Sequence, residues 1–157
     1  MRNDADALWA HHGVRLAGVI EVQLLENASR FGSKTFLHGL DKCVKRELGL
    51  TFDEECRWAE TKRAVKAQMD NDVFARRPLD AKTLEYCAND VVHLPALHAV
   101  YARRITDWWM TEAMAQSARR VVKACSPEYE PQSKAKAFGP WGYRFVDDDD
   151  GYDPDWP

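Results

Sequence analysis

Only one stretch of this chain, Val14 to Val22, has the β-branched density of a strand, through Val14, Val19, Ile20 and Val22. A single strand cannot make a sheet, so the remaining apolar residues must find partners as helices. Their spacing agrees. Ala5, Leu8, Trp9 and His12 predict a helix over Arg2 to His12, closed by Gly13, a residue that accepts positive φ at little cost. Gln23 to Arg30 reads as a short helix, and His38 to Leu48 as another that presents Leu40, Val44 and Leu48. Residues 53–70 are mostly polar and helical in part, with Trp58 and Val65 as anchors.

The strongest periodicity begins at Asp80, an N-cap residue two positions after Pro78. Leu84, Cys87, Val91, Leu94, His98, Tyr101 and Ile105 then fall three and four apart, which predicts one long buried helix. Pro95 lies inside it and removes a backbone donor, so a kink is expected near Val91 to Pro95. Thr106 and Asp107 can restart a helix, and 108–125 continues with Trp108, Trp109, Met114, Val121 and Val122. From Ser126 onward, prolines, a Gly-Pro-Trp-Gly turn and the run Asp147 to Asp150 predict an extended or disordered tail. The division expected is therefore a folded part over 1–125 and an acidic tail over 126–157.

Charge supports that division. Residues 1–126 carry 19 basic and 17 acidic side chains, whereas 127–157 carry 3 and 8. Neither part has the basic excess of a nucleic-acid coat protein. Cys43, Cys56, Cys87 and Cys125 form no CxxC pair, so neither a zinc site nor a disulfide framework is predicted, and a reducing compartment is expected. No apolar run nears the ~20 residues that span a bilayer, and the first residues lack the order of a secretory signal. The reading is of an intracellular protein, nuclear or cytoplasmic, that neither enters a membrane nor is secreted.

Within LEYCANDVVHL, Tyr86 and Asp90 are four residues apart and so share a helix face, one turn from each other. A carboxylate can bind a divalent metal and a phenol can hold a water, which is what metal-assisted phosphodiester hydrolysis asks for. By itself the spacing is also met by a half-buried tyrosine beside a solvated aspartate. The surrounding blocks distinguish the two. The succession RNDADALW, HGVRLAGVIEVQLLE, GLDKCVKRELGL and RRPLDAKTLEYCANDV closely resembles the second half of ribonuclease D and Werner-type 3′-to-5′ exonuclease domains. These are the DnaQ-like group with a tyrosine in the last motif. The run RRVVKACSPEYEPQSKAKAFGPW is similar to the C-terminal extension of fungal members, so the likeness covers roughly residues 1–142.

The resemblance implies an α/β, ribonuclease H-like fold and hydrolysis by two Mg²⁺ or Mn²⁺ ions held by four carboxylates, with an RNA or DNA 3′ end as substrate. Tyr86 and Asp90 fall on the family's third motif and Asp4 on the aspartate of its second. Asp4 and Asp90 would be two metal ligands, and Tyr86 would orient the attacking water. The family pattern gives His93 and His98 no ligand role, and both read as packing or surface residues. Arg77, beside Pro78, either holds substrate phosphate or braces the start of the third-motif helix. Arg57, Lys62, Arg63 and Lys66 add a basic stretch opposed only by Glu60.

The family's first motif, an Asp-x-Glu on the opening strand, is the departure. The chain starts at Met1, three residues before Asp4. Asp53-x-Glu55 has the spelling but reads as a solvated charge run, and Glu60, Asp70 and Asp72 are no better placed. The chain is thus expected to be the C-terminal part of the domain, mostly α with at most one or two short strands, and impaired or inactive alone. Helices such as 80–105 would lose the sheet that covers them. At about 25 cal/mol per Å², a few hundred Å² left bare is several kcal/mol, comparable to the whole stability of a small domain. The alternative is a non-catalytic remnant that binds nucleic acid or protein through its helical surface, with Trp108 and Trp109 as contacts.

Overall fold

A computed structural model describes residues 2–69 and 73–142. Among the described residues seven α-helices follow one another: α1 Arg2–His12, α2 Val22–Ser29, α3 Leu40–Glu47, α4 Phe52–Lys66, α5 Ala81–Asn89, α6 Leu94–Ala102 and α7 Asp107–Ala124. The described residues contain no strand, only an isolated antiparallel bridge between Phe36 and Phe138. The chain is mostly helical, as its periodicities predict. The expected strand over Val14 to Val22 does not form: residues 13–21 make an irregular connection, and Val22 already opens α2. No second strand is at hand to take its backbone donors and acceptors, and Gly18 sits at φ 65° within the stretch.

The core forms around α2, whose Leu24, Leu25 and Ala28 are buried among Leu97 and Tyr101 of α6, Cys43 and Val44 of α3, and Ala113 of α7. The face that α7 buries consists of Ala113, Ser117, Val121 and Ala124. Small residues at that spacing admit α1 and α2 closely, whereas Trp108, Met114 and Val122 point to solvent. Ser117 is satisfied inside the core, since its hydroxyl donates to the Ala113 carbonyl at 2.7 Å and accepts the Glu21 amide at 3.0 Å. Glu21 also forms a buried ion pair with Arg120. The C-terminal carbonyls of α2 are capped by Lys34, whose ammonium donates to Asn27, Ala28 and Arg30 carbonyls at 2.6–2.9 Å and lies over the Trp109 ring.

The long helix expected over 80–105 is two helices. Pro95 stands in the first turn of α6, where its missing N–H interrupts no helical bond, so it starts a helix rather than kinking one. Residues 90–93 turn between α5 and α6. The predicted stripe is accordingly split: Tyr101 is buried, while Leu84 and Val91 are each 58% exposed. At the other end of α4, a capping box joins Thr51 and Glu54, with the Thr51 amide donating to the Glu54 carboxylate at 2.8 Å. Those bonds hold the Glu54 carboxyl below its usual range. Trp58 and Val65 anchor α4 as expected, Val65 by burial and Trp58 by stacking on His93 at 4.9 Å.

Residues 126–142, expected to open an extended or disordered tail, are tied to the helical body. Leu37 donates to the Ala137 carbonyl at 2.9 Å, Gly139 donates to the Thr35 carbonyl at 2.8 Å, and Trp141 meets Trp109 edge to face. A Cβ on Gly139 would come within 2.2 Å of the Lys34 carbonyl oxygen, so only glycine permits this approach. The Asp147 to Asp150 run, Asp70 and Asp72 lie outside the described residues. Among the described residues no helix is long and apolar enough to cross a membrane.

Candidate active site

Helix α5 sets the position of the first two candidate residues. Asp80 caps it, accepting the amides of Lys82 and Thr83 at 3.0 and 3.1 Å and the Thr83 hydroxyl at 2.6 Å. Thr83 is buried, which pins the first turn against the body. One turn further on, Tyr86 is half-buried with its ring 5.9 Å from Phe74. Asp90 closes the helix, its amide donating to the Tyr86 carbonyl at 3.2 Å. The shared face and single-turn separation read from the spacing are present.

Asp4 stands in the first turn of α1, exposed, on a helix held down by buried Ala5 and by packing on α7. Eighty-six positions separate it from Asp90, yet its charge reaches the Asp90 carboxyl. That carboxyl is held above the usual carboxylate range. Loss of hydration is the main cause; the charges of Asp41 and Asp4 add to it, while Lys62 opposes. Tyr86 is raised likewise, by burial first, then by Asp90 and Asp41. The charges of Asp4 and Asp41 thus bear on Asp90, and those of Asp41 and Asp90 on Tyr86, which makes these residues one acidic patch in the electrostatic sense.

Two members of this patch escaped the sequence reading of the site. Asp41, on the first turn of α3, accepts the Lys62 ammonium of α4 at 2.6 Å. In the sequence Lys62 stands out only as part of a basic stretch, and nothing marks Asp41. They lie 21 residues apart, so no local spacing signals the pair. Arg77 is committed to its own loop, donating to the carbonyls of Phe74 and Arg76 at 2.8 and 2.7 Å.

Do these residues suit a pair of divalent ions? Asp4 and Asp90 are two carboxylates, and the third, Asp41, is neutralised by Lys62. Among the described residues no three of His, Cys, Asp and Glu come together closely enough to hold a metal ion. The described donor set is therefore too small for a two-ion centre by itself.

The model of the 3′-5′ exonuclease family matches residues 1–103, a span that takes in α1 to α6 with Asp4, Arg77, Tyr86 and Asp90. No curated protein and no solved structure matches the chain. The helical build is consistent with the C-terminal part of a ribonuclease H-like exonuclease domain. With two thirds of its length inside the match, the chain belongs to the 3′-5′ exonuclease family.

Proposed function

We propose that this chain is a ribonuclease D or Werner-type member of the family, of the fungal kind. In this reading it removes nucleotides from nucleic-acid 3′ ends, with Asp4 and Asp90 as two of the metal-holding carboxylates and Tyr86 as the group that orients water. Family membership carries nuclease chemistry and a nucleic-acid substrate, and family members normally use divalent metals. The observation that carries the finer reading is the single match that embraces Asp4 and Asp90, two acids whose charges bear on one another from opposite ends of the matched span. The shortage of carboxylates around them supports the further proposal that the 157-residue chain alone turns over poorly or not at all.

Two measurements test this. The chain alone, given a labelled 3′-ended oligonucleotide and Mn²⁺, should degrade it no faster than its Asp90→Ala variant; Asp90-dependent turnover would refute the proposed impairment. In a chain extended by a strand bearing Asp-x-Glu, Asp4→Asn and Asp90→Asn should each abolish turnover, while Tyr86→Phe leaves a residue of it. A harmless Asp4→Asn there removes Asp4 from the site.

A further inference from the structure

Helices α3 and α4 line a cavity of about 310 Å³ that shares Asp41 and Lys62 with the acidic patch but includes none of Asp4, Tyr86 and Asp90. Its floor is apolar, built by Val44, Leu50 and the Trp58 indole. Trp58 is fixed in orientation by the stacked His93 ring, with an interplanar angle of 16°. The rim is cationic. Lys45 is matched by Glu55 at 3.1 Å and Lys62 by Asp41, but Arg63 and Lys66, four and eight residues beyond Ala59 and Trp58 on the same side of α4, form no ion pair among the described residues. Two positive charges are thus left over an apolar slot that contains a rigid aromatic ring. Such a combination suits a ligand with a flat apolar face and anionic groups spaced along a backbone.

We propose that this groove binds single-stranded nucleic acid, with a base against the Val44, Leu50 and Trp58 floor and backbone phosphates on Arg63 and Lys66. The proposal rests on the nuclease reading and extends it by naming where a strand lies outside the acidic patch. Charge complementarity decides the occupant: an anionic strand relieves the excess of the rim, and the indole gives any base a π-face, so contact is independent of sequence. Asp41 forms the boundary between groove and patch, since it lines the one and its charge bears on Tyr86 and Asp90 in the other. A strand in the groove would therefore lead toward those residues.

The test is equilibrium binding by fluorescence anisotropy of 5′-fluorescein-labelled oligothymidylate in EDTA, where no turnover can occur. Arg63→Gln/Lys66→Gln changes only exposed side chains and should weaken binding and lower the slope of log K against log salt by about 1.4, the share of two phosphate contacts on a single strand. Trp58→Leu should weaken it about five- to a hundredfold, the worth of one stacked base. If the wild-type chain binds and the double variant binds equally with an unchanged slope, the groove assignment is overturned and the nuclease reading stands. If the wild-type chain binds no oligonucleotide at low salt, both fall. Equal displacement by poly-glutamate would mark a general polyanion surface and overturn the proposal too.

Discussion

The two ends of the interrupted 80–105 segment behave as different materials. On α6, Leu97 and Tyr101 are buried and join residues of α2, α3 and α7 in one core. On α5, only Thr83 is buried, and Leu84 stands exposed, as do Val91 and Val92 in the turn that follows. The helix that carries Tyr86 is thus held by a cap, a turn and one face, while its neighbour is held by a core. What keeps the protein folded and what is proposed to act on a substrate are different sets of residues, so each can be altered without the other.

The largest effect that would sharpen this contrast comes from the buried ion pair. Arg120→Met removes the guanidinium from the buried Glu21 carboxylate and should cost about 3–5 kcal/mol in denaturant unfolding. An unchanged midpoint would show that the α2–α7 contact is not part of the body that unfolds as one. Next comes a matched pair of truncations. Leu97→Ala, at a residue with no exposed surface, should cost about 2–5 kcal/mol. Leu84→Ala, on the open face of α5, should fall within about 0.5 kcal/mol of the parent. Equal losses would dissolve the distinction, because α5 would then be covered in solution.

The smallest effect concerns pH. The fold raises the pKa of Asp90, so it favours the protonated acid, and stability is lost as pH rises through that raised value. Asp90→Asn removes the penalty. The variant should melt slightly above the parent near neutral pH, and the gain should vanish below the ordinary carboxylate pKa of about 3.9, where Asp90 is uncharged in both folded and unfolded chains. Thermal melts at the two pH values check this. A gain that persists in acid would mean that it does not arise from the raised pKa of Asp90.

Much of this was legible beforehand. Short-range signals act within a few residues and survive any tertiary arrangement: Asp80 and Thr106 as caps, Gly13 as a terminator, and Tyr86 one turn before Asp90. The ordered blocks that resemble the exonucleases lie largely within the span that the family match covers. Less legible was the fate of apolar residues whose partners lie far away. Val14 to Val22 has strand composition, but composition cannot supply a neighbouring strand. Pro95 reads as a kink or as a start depending on where the preceding helix ends, and that depends on how α5 and α6 pack.

The sequence alone determined the helical build, the local geometry of the Tyr86 and Asp90 pair and the kinship those blocks reveal, because each rests on interactions between residues close in the chain or on their order along it. Only the tertiary structure decided that the charges of Asp41 and Asp4 reach Asp90, that Asp41 is held by Lys62, and that residues 126–142 pack on the body instead of trailing from it. Those outcomes depend on long-range closure and on lost hydration. Neither leaves a period or a spacing in the chain to be read.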